Sequence, residues 1–160
     1  MKIGVFDVDD TLIIHGSGSQ NYYNNNNNNN LRELLQSKGF DRIYLYTNGT
    51  YGHGLNISEH LNISDMVSFI YGRDNLRPAL YPPRHMKPYQ ESFNFVNESI
   101  QSDSGSFDND VYFFDDLKEN LQTAKNIGWK TILIKSNETL KPYIDYVFTN
   151  IYSALLNLDL

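Results

Sequence analysis

With 160 residues, 40% of them hydrophobic and 14% aromatic, the chain carries enough apolar matter for one ordinary core; having no cysteine, it forms neither disulfides nor thiolate metal sites. Thirteen basic against nineteen acidic side chains give a formal charge of −6, which excludes the broad basic surface of a nucleic-acid binder and removes nucleic acid from the expected partners. No apolar run approaches the ~20 residues of a spanning helix, and the first residues lack the basic, apolar and small-residue segments of a secretion signal. A soluble cytoplasmic protein, with residues 1–160 forming a single domain, is therefore expected.

The first predicted element is the strand "KIGVF" within "MKIGVFDVDDTLIIHG", and it runs into three carboxylates, Asp7, Asp9 and Asp10, inside four positions. Like charges this close repel unless a cation or hydrogen bonds hold them. Gly16, Ser17, Gly18 and Ser19 then lead towards seven consecutive asparagines, Asn24 to Asn30, read as a low-complexity loop at about 16–30. The sequons that follow from this asparagine abundance, such as Asn48-Gly49-Thr50, are expected to be unglycosylated.

The next strand, "RIYLYT", ends in Thr47, Asn48 and Gly49, where "NG" between apolar runs is also a hairpin signal. After a helical segment and the strand "MVSFIY", the stretch "RHMKPYQESF" places Lys87 just before a helix that Pro88 would start. The strand "VYFF" runs into Asp115 and Asp116. Asp116 with Glu119 fits a helix N-cap and capping box, and Leu117, Leu121, Ala124 and Ile127 give the following helix its apolar stripe. "KTILI" and "YVFT" complete the strands, and no internal repeat is visible. Apolar strands alternating with helical segments predict parallel strands in a three-layer α/β sandwich, with ligands bound at the carboxyl ends of the strands. His53 and His60 lie two turns apart on one helix, too far to share a metal, whereas His15 and His85 sit beside the strand-end groups as candidate substrate contacts.

Taken in order, Asp7-x-Asp9-x-Thr11, Thr47-Asn48, Lys87-Pro88 and Asp115-Asp116-x-x-x-Asn120 resemble the four motifs of the haloacid dehalogenase superfamily of phosphohydrolases, from Lys2 to about Ile134. "TNGTYGHGLNISEHLNISDMV" followed by "MKPYQESF" looks most like the pyrimidine 5′-nucleotidase branch, through Thr47, Asn48, His53, Leu61, Ile63, Asp65, Lys87, Pro88 and Phe93. The resemblance implies a Rossmann-like parallel sheet and Mg²⁺-dependent hydrolysis of a small phosphomonoester, a nucleoside monophosphate among the candidates. It makes Asp7 the nucleophile that forms an aspartyl-phosphate and Asp9 the general acid and base. Asp7, the backbone carbonyl of Asp9 and Asp116 would ligate Mg²⁺. Thr47 and the Asn48 backbone N–H would hold phosphate oxygens, and Lys87 would offset charge on the nucleophile and the transferring group. Asp115 and Asn120 would orient the metal and its waters from an outer shell, while Asp10 would face solvent or form the turn.

Relatives of this branch insert a helical cap of several dozen residues after the first motif, where this chain offers only His15 to Asn30, so a capless core is expected. An open site suits a large substrate, such as a phosphoprotein or a nucleic-acid end, or closure by a neighbouring subunit. Tyr22, Tyr23 and Tyr51 are the aromatic candidates for stacking on a base. A catalytically degenerate scaffold is the other alternative. Receiver domains of response regulators share the residue types, but in them the phosphorylated Asp stands alone and Lys comes last, whereas here Lys87 precedes the second acid pair.

Overall fold

The computed structural model describes residues 1–14, 28–134 and 139–160, so the readings of His15, Tyr22, Tyr23 and loop residues 16–27 lie outside the described residues. Six strands form one sheet: β1 (Lys2–Phe6), β2 (Arg42–Tyr46), β3 (Phe69–Tyr71), β4 (Asp110–Asp115), β5 (Lys130–Ile134) and β6 (Tyr146–Phe148). Their order is β3-β2-β1-β4-β5-β6 and every pairing is parallel. The helices are α1 (Asn28–Lys38), α2 (Tyr51–His60), α3 (Arg73–Leu76), α4 (Gln90–Ser104), α5 (Lys118–Asn126) and α6 (Ile151–Asn157). This is the expected α/β sandwich with a Rossmann-like parallel sheet.

The strands read as continuous apolar runs because both faces of the sheet are covered. Alternate residues feed two cores. Phe6, Leu45, Phe114 and Ile132 pack with Leu31, Leu35, Ile57 and Ala154 on one face; Val5, Tyr46, Phe113 and Leu133 pack with Phe93, Val96, Ile100 and Leu121 on the other. Phe6 and Phe114 stack across β1 and β4 with ring centroids 4.4 Å apart, fixing the register at the centre of the sheet. On α4 the buried residues Phe93, Val96 and Ile100 recur at helical spacing, and the helix stops at Gly105, whose φ of 69° is the left-handed conformation glycine adopts freely.

Four local readings change. The last three asparagines of the tract, Asn28 to Asn30, belong to α1, so the loop is over by that point. Met66 belongs to a short 3-10 turn, Ser64–Met66, and β3 starts only at Phe69. Pro88 precedes α4, which begins at Gln90. Leu117 is the N-cap residue of α5 and is 46% exposed, so the helix is not capped by Asp116 and its buried stripe begins at Leu121.

Candidate active site

β1 connects leftwards to β2 while β4 lies on its other side, so the crossovers diverge between β1 and β4, and a crevice opens beyond their carboxyl ends. Asp7 stands at that point. Its N–H donates to the Phe114 carbonyl at 2.9 Å, continuing the β1–β4 pairing by one residue and bringing Asp7 beside Asp115. The chain then turns tightly: Leu12 N–H donates to the Val8 carbonyl at 2.9 Å, and Asp10 takes a φ of 61°, a conformation aspartate tolerates better than most residues. Asp10 is exposed in this turn, where it was expected. The turn carries Thr11 back under the nucleophile candidate, where its hydroxyl donates to Asp7 Oδ2 at 3.1 Å and lies 3.5 Å from Asp116 Oδ1.

Lys87 arrives from the loop before α4 and is buried; its backbone is gripped by the Asn48 side chain, which accepts from Lys87 N–H at 2.8 Å and donates to its carbonyl at 3.1 Å. The Asn48 amide thus positions the lysine, and its backbone N–H makes no hydrogen bond among the described residues. The ammonium donates to Asp7 Oδ1 at 3.0 Å, Asp115 Oδ2 at 2.8 Å and the Tyr46 carbonyl at 2.8 Å, and it lies 5.0 Å from the Tyr46 ring centroid. An ammonium has three protons. While these bonds are kept, none is left for a phosphate oxygen, so in this state Lys87 acts on the carboxylates.

Asp115 is fully buried and both its oxygens are engaged: Oδ1 accepts from Leu117 N–H at 2.9 Å, and Oδ2 accepts from Lys87 and from Asn120 Nδ2 at 3.0 Å. Asp116 is half-buried beside Asp7. Carboxylate oxygens of Asp7, Asp115 and Asp116 lie within 4.8 Å of one another. Three carboxylates against one ammonium leave two negative charges uncompensated, and the donors are all hard oxygens, which fits Mg²⁺. The same imbalance shows in the acidities. Burial pushes the Asp7 carboxyl up to about 6, against the pull of Lys87, with the Asp116 hydrogen bond adding to the rise. Burial and the Asp7 charge push Asp115 up to about 6 as well. Lys87 is held above its ordinary value because Asp115 and Asp7 outweigh the cost of its burial.

Both carboxyls have folded-state values near 6, above the 3.8 of a free aspartate, so the folded state binds these protons more tightly than the unfolded one. Their contribution is complete below about 4 and is lost as pH rises through about 6. In thermal melts, added Mg²⁺ is expected to stabilise the protein far more above this window than below it, because only the ionised pair needs the cation.

Thr47 follows β2 and is buried. Its Oγ accepts from Gly49 N–H at 3.0 Å, which leaves the hydroxyl proton free to donate. A cavity of about 260 Å³ is lined by Asp7, Asp9, Asp10, Thr47, Asn48, Lys87, Asp116 and Asn120, together with Gly49 and Leu117. All the residues expected to serve catalysis, phosphate binding or the metal except Asp115 therefore line one space, and Asp115 touches it through Lys87 and Asn120. Sequence reasoning gave Thr11 no role and missed the Tyr46 carbonyl and the contact between His53 Nε2 and Asp9 Oδ1, 2.9 Å apart. Of the two substrate-contact candidates, His85 is buried, its Nδ1 has no hydrogen-bond partner among the described residues, and it does not line this cavity.

Solved structures of haloacid dehalogenase-type hydrolases are similar in fold to this chain. A haloacid dehalogenase-like hydrolase of Streptococcus pneumoniae matches with a TM-score of 0.60 at 11% identity, over 98% of each chain. The D,D-heptose 1.7-bisphosphate phosphatase of B. bronchiseptica, solved with magnesium and phosphate, matches with a TM-score of 0.64 at 16% identity, over 99% of this chain and 98% of that one. A dehalogenase matches with a TM-score of 0.59 at 17% identity over 81% of this chain, which spans 55% of that dehalogenase's length. These are likenesses of fold. No protein-family model and no curated protein matches the sequence.

Proposed function

We propose that the protein is a Mg²⁺-dependent phosphomonoester hydrolase that works through an aspartyl-phosphate on Asp7. The observation that carries this reading is the convergence of Asp7, Lys87 and Asp116 with the Thr47 hydroxyl on one cavity at the β1/β4 switch point, with Asp115 buried behind it on the Lys87 ammonium. Asp7 and Asp116, with the Asp9 carbonyl, would hold Mg²⁺, whose charge would screen the carboxylates from the incoming phosphate and polarise a P–O bond. Lys87 and Thr11 fix the Asp7 carboxylate from both oxygens, so its attack costs little reorientation. Asp7 attacks phosphorus, the bond to the leaving oxygen breaks, and Asp9 gives that oxygen its proton, releasing the alcohol. Asp9 then takes a proton from water as it attacks the phosphorus, the bond to Asp7 breaks, and inorganic phosphate leaves. The Thr47 hydroxyl and the Asn48 N–H hold phosphate oxygens through both steps.

Small phosphorylated molecules are the substrate class we infer, with nucleoside monophosphates favoured by the resemblance of residues 47–65 and 86–93 to the nucleotidase branch. Of the three tyrosines expected as stacking candidates, Tyr51, 37% exposed at the start of α2, is the one among the described residues. A second reading, a capless enzyme for a large phosphorylated substrate, is favoured by spacing: only residues 12–27 separate Thr11, the end of the first motif, from α1. A screen over nucleotides, sugar phosphates, phosphopeptides and 3′-phosphorylated oligonucleotides, each with Mg²⁺ and with excess chelator, separates the two. Chelation is expected to remove turnover, and Asp9→Asn is expected to slow it about 10²-fold or more while phosphate-analogue binding persists. Full turnover in chelator, or an unimpaired Asp9→Asn variant, contradicts the reading.

A further inference from the structure

His53 comes to Asp9 across 44 residues of sequence, its Nε2 lying 2.9 Å from Oδ1 and 3.2 Å from Oδ2. Both side chains are about one-third exposed, at 33% and 34%, a setting in which an ion pair adds little to stability. Yet the backbone beneath this histidine is built with care. Thr50 caps α2 by accepting from His53 N–H at 3.1 Å, Arg73 N–H donates to the Gly49 carbonyl at 2.8 Å, and Asp74 accepts from Tyr51 N–H at 2.8 Å. The imidazole lies across Gly49: a Cβ added there would stand 3.3 Å from His53 Cδ2 and 3.3 Å from Thr47 Oγ1, and 3.9 Å from Asp9 Oδ2. One small residue thus lets the phosphate-side hydroxyl, the histidine ring and the Asp9 carboxyl share the rim of the cavity.

We propose that His53 is a positioning residue for Asp9: donating from Nε2, it holds the Asp9 carboxyl in one orientation at the mouth of the cavity, towards the leaving oxygen. The proposal rests on the phosphohydrolase reading above. The hydrogen bond persists through both half-reactions, because a carboxyl group keeps an acceptor oxygen whether or not it carries a proton. His53 touches neither phosphate nor nucleophile; it acts through Asp9.

The consequence is a dependence on the leaving group. p-Nitrophenolate departs without needing a proton, whereas the alkoxide of glycerol 2-phosphate does not. kcat/KM covers the steps up to alcohol release and excludes hydrolysis of the intermediate. His53→Ala is expected to lower kcat/KM about tenfold or more on glycerol 2-phosphate and less than about threefold on p-nitrophenyl phosphate. His53→Gln, whose amide reaches the position of Nε2, should recover most of the loss, and His53→Asn, one methylene shorter, should not. In an Asp9→Asn background, His53→Ala should change neither substrate further, since the group it positions is gone. Equal losses on both substrates, no loss on either, or a Gln variant no better than Asn would overturn the positioning role. If His53→Ala melts far below the wild type, the Gln-to-Asn comparison reads the same effect in the folded variants. Absence of turnover in the wild-type protein, or full turnover in Asp7→Asn, would instead strike the phosphohydrolase reading itself.

Discussion

Asn in place of Asp7 is expected to reduce turnover of every accepted phosphomonoester by a factor on the order of 10⁴ or more, and to leave the protein folded. An amide nitrogen cannot form the acyl-phosphate, and the amide oxygen is a poor nucleophile. The structural cost is small. The Asn oxygen still accepts from Lys87, and the Thr11 hydroxyl, which now donates to Asp7 Oδ2, can turn to accept from the amide. The substitution also removes one of three crowded carboxylates. Without Mg²⁺, and above the range near 6 where Asp7 and Asp115 ionise, Asp7→Asn should therefore melt at or above the wild type. Kinetics in parallel with chelator melts check both halves; an inactive variant that has also lost its fold would leave the loss without a chemical meaning.

Lys87→Met is expected to produce the largest loss of stability, about 3–5 kcal/mol without Mg²⁺ above the same range. The lysine side chain is 1% exposed, and its ammonium is shared by two buried carboxylates and a carbonyl. Methionine fills the volume between the Tyr46 and Phe113 rings but leaves Asp7 and Asp115 charged, buried and without their cation. Without the ammonium that lowers them, both carboxyls take up protons above the wild-type range, so the deficit should be largest at alkaline pH and shrink as pH falls towards about 6. Adding Asp115→Asn to Lys87→Met should restore part of the stability and none of the activity. Denaturant titrations of the single and double variants at two pH values test this; a Lys87→Met variant as stable as the wild type would show that the ammonium is not needed to hold the acids together.

The sheet and the positions of its strand-end groups were legible because a parallel sheet covered on both faces makes its strands apolar until they leave the core. Phe6 to Asp7, Tyr46 to Thr47 and Phe114 to Asp115 are abrupt changes of that kind. Groups whose partners are tertiary were not legible. His53, the third residue of α2, carried part of the nucleotidase resemblance but no partner in the sequence; only the approach of α2 to the turn after β1 gives it Asp9. Asn48 reads as a turn residue, yet its amide holds the Lys87 backbone 39 residues away. Of the two uses open to Asp116, metal ligand or helix cap, the structure excludes the cap for a physical reason. Asp115 bonds the N–H of Leu117 ahead of α5, and this lets Asp116 turn towards Asp7 instead of capping the helix. The asparagine tract hid the start of α1 because a run of one residue type has no periodicity to read.

In the proposed reaction Asp7 itself carries the phosphoryl group. The direct measurement is to mix the Asp9→Asn variant, slowed in hydrolysing its intermediate, with p-nitrophenyl phosphate and Mg²⁺, quench in acid, reduce with borohydride, and locate the modified residue by peptide mass spectrometry. Borohydride converts an acyl-phosphate to an alcohol and leaves free carboxylates alone, so homoserine is expected at position 7, with the introduced asparagine unchanged at position 9 and aspartate retained at 10, 115 and 116. A protein that hydrolyses the ester while Asp7 stays unmodified throughout the first turnover, or that shows the label at another residue, would contradict it.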